Sequence, residues 1–366
     1  MALAEARAAS GRTHPNPPVG AIVYRGDRVL GRGRTRPPGG DHAEIVAIER
    51  TRRRHGARAL RGASLAVTLE PCAHVGRTGP CSERIVDAGI ARVYAGHLDP
   101  HPEVGGRGVR RLRRAGIAVR VGVLESECRE QHRGFLQVLA TGRPFVSLKL
   151  GATLDGRIAT ARGESRWITG SEARAAVQRL RSRIDAILVG SGTALADDPE
   201  LYARRRGRIV HRPLRVVADT RLRLRPSSQL LRGEAGRTWL LCARGAPPAR
   251  RRALEARGAQ LIPVRRRGRG LDLSRALALL ARRGVSEILV EGGGVLAASL
   301  LREGLVDEVH WFLAPRFLGA DGRPALADLG LVRLADTPVL DDLRVRRVGV
   351  DLHLCGRIAR SGRRSS

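Results

Sequence analysis

Short apolar runs alternate with longer stretches of helical period along most of the chain, the pattern of an α/β protein. Met1–Ser10 has helical spacing. Gly20–Tyr24 then reads as a buried strand, Arg25–Arg28 as a hairpin turn and Val29–Gly31 as the returning strand. A helix over His42–Arg54, a strand over Leu65–Leu69, a helix over Ser82–Ala88 and a strand over Ala91–Ala95 follow. The turn-rich loop His97–Gly108 leads to a helix over Val109–Ala115 and a strand over Ala118–Val121. This order closes a first domain over residues 1–123, and the polar helix Glu125–Leu139 is expected to be a connector within residues 124–144.

A second domain is expected over residues 145–357. Phe145–Leu150 alternates apolar and polar residues and predicts a strand with Lys149 on the polar side. Ser171 is expected to cap a helix running to about Ser182. Strands are predicted over Ala186–Gly190, Leu214–Asp219, Trp239–Cys242, Glu287–Val290, Val306–Leu313 and Leu343–Leu354. The helices among them are Pro248–Ala256, Leu271–Ala281 and Val295–Arg302, while residues 358–366 read as a disordered basic tail.

Chemistry gathers at the ends of the first domain's elements. His42-Ala43-Glu44 opens one helix, Pro71-Cys72 ends one strand and Pro80-Cys81 opens the next helix. One imidazole and two thiolates make three ligands for a single zinc ion, leaving the fourth position to water. Bound zinc lowers the pKa of that water from about 15.7 to about 7. Glu44, two residues beyond His42, is then the proton carrier of a zinc-dependent deaminase. Eight residues separate Cys72 from Cys81, where two are usual in such enzymes, so a loop lies between the ligands.

The formal net charge is +32, which raises nucleic acid as a partner. Arginines are spread along the whole chain, however, and aromatic residues for stacking bases make up only 3%. A solvated basic surface is the expected outcome, with no specific nucleic acid partner. No apolar run reaches membrane-spanning length and Met1–Ser10 lacks the apolar core of a signal peptide, which predicts a cytoplasmic protein with no membrane partner. Cys128, Cys242 and Cys355 are too scattered for a disulfide framework.

Two features of the second domain invite function. Lys149 is the single lysine among 67 Lys and Arg residues, which suggests a place for a compact ammonium, although chance accounts for it equally well. Glu287–Val290 runs into Glu291-Gly292-Gly293-Gly294 and then a helix, a cradle suited to the diphosphate of a nucleotide cofactor or simply a tight packing turn. Near the amino terminus, Asn16 between Pro15 and Pro17 fits a ligand contact and fits turn chemistry as well.

Taken together, these motifs resemble the bifunctional riboflavin-biosynthesis deaminase/reductase family. Thr13-His14-Pro15-Asn16-Pro17, His42-Ala43-Glu44, Thr68–Cys72 and Gly76–Cys81 are similar to its deaminase half. Leu148–Ala152, Gly163–Thr169, Leu195–Pro199 and Glu291–Gly293 are similar to its reductase half. The resemblance implies a cytidine-deaminase-like α/β/α domain followed by a dihydrofolate-reductase-like α/β domain. It also implies removal of an amino group from 2,5-diamino-6-ribosylamino-4(3H)-pyrimidinone 5′-phosphate, then NADPH-dependent reduction of the ribosyl chain to ribityl.

On the family pattern Asn16 holds the pyrimidine and Arg77 meets its phosphate. NADPH is met by Gly151 or Ala152, Trp167, Thr193, Asp197, Thr220 and the loop Gly292, Gly293, Gly294, Val295, Leu296 and Ala297. Ser165, Arg181, Leu201, Arg204 and Glu291 meet the reductase substrate, with Lys149 beside the ribosyl group. The chain departs from the family at His101, Gly79 and Tyr202, where Asn, Pro and Thr are common. A homo-oligomer, dimer or tetramer, is expected.

Overall fold

The computed structural model describes residues 1–73, 79–101, 105–268 and 270–359. They divide into two compact units, Met1–Gly142 with Arg283–Ser286, and Arg143–Arg282 with Glu287 onward.

The first unit is built on a five-stranded sheet in the order Arg28–Arg34, Gly20–Arg25, Ser64–Val67, Arg92–Ala95 and Ala118–Val121. The first two pairings are antiparallel and the last two parallel. Strand residues Val23, Leu65 and Val67 share one core with Ile48, Ile85 and Leu112 from three helices, Ala43–His55, Cys81–Asp87 and Arg107–Arg114. Helix Ala43–His55 lies unusually close to the sheet because Gly33 faces it. A Cβ at that position would overlap the Ala43 carbonyl oxygen. The contact fixes the start of this helix, and with it His42.

The segment expected to be a connector belongs to the first unit and forms two helices, Glu125–Gln131 and Arg133–Thr141. His132 at their junction is fully buried. Its ring is hydrogen-bonded to His97 at 2.9 Å and to the Thr68 hydroxyl at 3.2 Å, which ties the helix pair to the sheet.

The second unit carries a nine-stranded sheet. Its order is Ala259–Val264, Thr238–Ala243, Leu214–Ala218, Ala186–Gly190, Glu287–Glu291, Phe145–Thr153, Glu308–Ala314, Asp351–Ile358 and Leu340–Val348. The first seven strands run parallel and the last two form an antiparallel hairpin at the edge. Ile187, Val189, Val217, Leu240 and Leu289 fill its main core.

Several expectations change here. Leu343–Leu354 is not one strand: the chain turns at Gly349, which has a left-handed φ of 65°. Ile358, expected in the tail, closes the last strand opposite Leu340, and residues 360–366 lie outside the described residues. Gly170 rather than Ser171 precedes the helix Ser171–Arg181, and the Ser171 hydroxyl instead donates to Glu172 at 2.8 Å. The segment after Ala186–Gly190, left unassigned by its pattern, is a short helix, Ser191–Asp197. Ala259–Val264 is a strand without a strand's sequence pattern because Pro263 interrupts it, and the sheet tolerates that proline at its edge.

Candidate functional site

In the first unit the strand Ser64–Val67 and the starts of two helices converge. His42 stands just before the helix Ala43–His55, and Cys81 is the first residue of Cys81–Asp87. His42 Nδ1 lies 3.2 Å from Cys81 Sγ and 3.6 Å from Cys72 Sγ, and the Cys81 amide donates to Cys72 Sγ at 3.4 Å. One imidazole nitrogen and two sulfurs within 4.8 Å of one another match the donor set of a zinc site that keeps an open position.

These three groups perturb each other strongly. The hydrogen bond with Cys72 pushes His42 up to about 9. The bond with Cys81 holds Cys72 down at about 4, while Cys81 is pushed up. Protons held this way leave when a dication binds, so zinc uptake by such a set is linked to pH. Glu44 is 4% exposed beside them, and burial pushes its carboxyl up to about 7.

Glu70, which the sequence places only within a motif, organises the approach to this site. Its buried carboxylate accepts from the amides of Asp99 at 3.1 Å, Gly106 at 2.9 Å and Val109 at 3.1 Å. The partners come from 29 to 39 residues downstream, so no local pattern could reveal the hub. Asn16 sits in a turn closed by Thr13, which accepts from the Asn16 amide at 2.8 Å and donates its hydroxyl to the Asn16 carbonyl at 2.9 Å. Arg77 lies outside the described residues.

In the second unit Lys149, Arg181 and Glu291 come together from three elements. Arg181 grips both carboxylate oxygens of Glu291, from Nε at 2.6 Å and Nη2 at 2.8 Å, and Lys149 Nζ lies 3.8 Å from Glu291 Oε2. Burial alone would raise the Glu291 carboxyl, but the charges of Arg181 and Lys149 outweigh it and hold the carboxyl below its usual range. Burial draws Lys149 down, against the opposing pull of Glu291.

The three glycines beyond Glu291 fit a diphosphate. Gly292 has φ 122°, and a Cβ there would overlap Thr193. The Gly293 amide donates to Thr193 Oγ1 at 3.0 Å, and Gly294 opens the helix Gly294–Arg302. Val295 and Trp167 are 73% and 63% exposed, while Leu296 and Ala297 are buried. Trp167 lies under the Arg174 guanidinium at 4.5 Å, and the Asp197 carbonyl accepts from Arg166. Gly151 is close to Thr169 and Lys149, and Ala152 is buried in the same strand. The Ser165 carbonyl accepts from the Ile168 amide in the turn before the helix.

Thr220 lines a cavity of about 410 Å³ at the ends of three parallel strands, together with Arg221, Arg244, Arg265 and Arg266. The sequence gives no sign of this group, because its arginines are scattered over 46 positions of an arginine-rich chain and meet only through strand order. Arg204 turns to Glu200 at 2.6 Å, and Leu201 packs into the unit's core. Tyr202 plays a structural part. It faces the guanidiniums of Arg212 and Arg215, and its hydroxyl accepts from the buried Arg215 at 3.0 Å.

Comparison with known proteins agrees with this division. A family model described as the RibD C-terminal domain matches residues 144–354, and one for the cytidine and deoxycytidylate deaminase zinc-binding region matches residues 1–97. The riboflavin biosynthesis protein RibD of Escherichia coli is 42% identical over 97% of this chain and 98% of its own. The solved structure of Acinetobacter baumannii RibD, form 1, superposes with a TM-score of 0.85 at 34% identity, covering 98% of this chain and 97% of that one. A diaminohydroxyphosphoribosylaminopyrimidine deaminase/5-amino-6-(5-phosphoribosylamino)uracil reductase from Thermotoga maritima gives 0.83 at 33% identity, with the same coverage of 98% and 97%. Relatives alike over their full length, with both halves matched in the same order, place this chain in the RibD family of bifunctional deaminase/reductases of riboflavin biosynthesis.

Proposed function

We propose that the first unit deaminates 2,5-diamino-6-ribosylamino-4(3H)-pyrimidinone 5′-phosphate and that the second reduces the ribosyl chain of the product with NADPH. The observation that carries the reading is the triangle of His42, Cys72 and Cys81 with Glu44 buried beside it. When held by these three ligands, zinc supplies Lewis-acid activation of water at neutral pH. Glu44 takes the proton from the attacking water and passes it to the departing amino nitrogen. A carboxyl raised towards neutrality suits both halves of that transfer. Asn16 holds the pyrimidine and Arg77 receives the phosphate.

In the second unit Gly292, Gly293 and Gly294 cradle the diphosphate of NADPH, with Thr193, Asp197, Trp167, Gly151, Ala152, Val295, Leu296 and Ala297 around it. NADPH supplies the hydride. Arg221, Arg244, Arg265 and Arg266 beside Thr220 offer the charge that a 2′-phosphate needs. Glu291 holds Lys149 and Arg181 against the substrate, where the compact ammonium of Lys149 orients the ribosyl group and offsets developing negative charge. Ser165, Leu201 and Arg204 complete the substrate contacts. Exposed Leu343, Val345 and Val350 on the edge hairpin suit a second copy of the chain, consistent with a homo-oligomer. Among the described residues no helix is long and apolar enough to cross a membrane, and the protein acts in the cytoplasm.

The test is one assay on zinc-loaded protein, with the diaminopyrimidine ribosyl phosphate and NADPH, following ammonia release and NADPH absorbance together. Ammonia followed by stoichiometric NADPH oxidation is expected. Ammonia without oxidation would overturn the role given to the second unit, and neither signal would overturn both roles.

A further inference from the structure

The second unit holds another cluster of metal-ligating side chains that neither reaction uses. His310 on the strand Glu308–Ala314 is paired directly with Cys355 on the strand Asp351–Ile358. His353 precedes Cys355 by two residues, so all three side chains emerge on one face of the sheet. Their ligand atoms lie within 4.8 Å of one another, with His310 Nδ1 and His353 Nε2 3.1 Å apart.

The surroundings prepare these groups to bind a cation. Glu308 Oε2 lies 2.9 Å from His310 Nε2 and also accepts from the Ser147 hydroxyl at 3.2 Å. A carboxylate can only accept, so Nε2 carries a proton, and Nδ1, facing His353, is the nitrogen that offers its lone pair to a cation once the ring is neutral. Metal-bound histidines are commonly oriented by this kind of carboxylate partner. The His353 ring is stacked on Phe312 at 4.3 Å, which fixes its plane. Arg344 donates to Cys355 Sγ at 3.7 Å, which orients the sulfur. His310 and Cys355 are buried and His353 is half-buried, leaving a path for an ion.

We propose that His310, His353 and Cys355 bind a second zinc ion, separate from the deaminase site. Two imidazoles and a thiolate form a borderline-soft donor set that excludes calcium and magnesium and suits zinc. With ligands on two strands, the ion clips the edge hairpin to the parallel part of the sheet, so its binding energy adds to the stability of the second unit.

The test is an anaerobic titration of the metal-free full chain with cobalt(II), read by thiolate-to-cobalt absorbance, and with zinc(II), read by metal analysis. Wild type should take up two equivalents per chain. Cys355→Ser and His353→Gln should each take up one, with ammonia release by the zinc-loaded variants unchanged. A chelator should lower the unfolding midpoint of the second unit in wild type and have no such effect in Cys355→Ser. Should Cys355→Ser fail to fold, the count for His353→Gln decides, because that side chain is half-buried and its loss leaves no thiol stranded. A single equivalent in wild type, or two equivalents in both variants, would overturn the proposal. The three residues would then be a protonated His310 bridging Glu308 and His353.

Discussion

Replacing Glu291 by Gln keeps the side-chain shape and removes the negative charge that pairs with Lys149 and Arg181. The three side chains are 8%, 22% and 17% exposed, so water screens them little. At 3.8 Å and an effective dielectric constant near 20, the attraction between Lys149 and Glu291 is about 4 kcal/mol. Breaking a buried pair by removing one partner costs about 3–5 kcal/mol, because the surviving charges stay buried. The amide oxygen of Gln can keep one bond to Arg181, which puts the expected loss at the lower end, about 3 kcal/mol. All three tryptophans, Trp167, Trp239 and Trp311, lie in the second unit, so tryptophan fluorescence during urea unfolding reports on it selectively.

The same experiment has a pH signature. Arg181 and Lys149 hold the Glu291 carboxyl below its usual range despite burial. Its contribution is therefore complete above the ordinary carboxylate pKa of about 4.3 and is lost as pH falls through the lower folded value. The gap between wild type and Glu291→Gln should be flat near neutrality and close in acid. Reduction should fall while ammonia release continues. A gap below about 1 kcal/mol at pH 7, a gap that persists in acid, or unimpaired reduction would refute the reasoning.

Glu44→Gln should slow ammonia release by about 10²- to 10⁴-fold while zinc content and NADPH oxidation on supplied deaminated substrate persist; loss of the metal would show a structural role instead. Burial pushes His132 down to about 3, with His97 adding to it, whereas the unfolded value is about 6.5. The unfolded chain thus takes a proton the folded chain refuses, and the first unit should lose about 4 kcal/mol as pH falls from about 6.5 towards 3. Urea melts followed by circular dichroism should show a flatter pH dependence for His132→Gln, and an unchanged slope would refute this. Gly292→Ala forces a Cβ into Thr193 at a left-handed φ, so the Michaelis constant for NADPH should rise with deamination intact; equal constants would remove the loop from the cofactor site.

How much could be read from the sequence depended on whether the partners of a residue are fixed locally. His42, Cys72 and Cys81 were legible because histidine and cysteine are scarce, at 10 and 5 residues, and each sits at an element end; Glu44 was legible because it follows His42 by two positions. Strands with uniform apolar runs were legible for the same local reason. Glu70 was not, because its three amide partners lie on a distant loop and at the start of the helix that follows it, and neither was the structural part of Tyr202, whose buried arginine partner comes from the strand Leu214–Ala218. The hairpin at Gly349 was hidden because its outer strand, Leu340–Val348, is exposed along nearly its whole length and lacks a buried pattern to mark where the turn begins.

The sequence by itself determined the alternation of strands and helices, the His, Cys and Cys donor set and the run of glycines between strand and helix, since each depends on local propensity or on one residue's chemistry. Only the tertiary structure decided that Lys149 and Arg181 share one carboxylate, that four scattered arginines meet beside Thr220, and that His310 faces His353 and Cys355. Those groupings are set by strand order and register, which arise from the packing of the whole sheet and leave no mark on neighbouring residues.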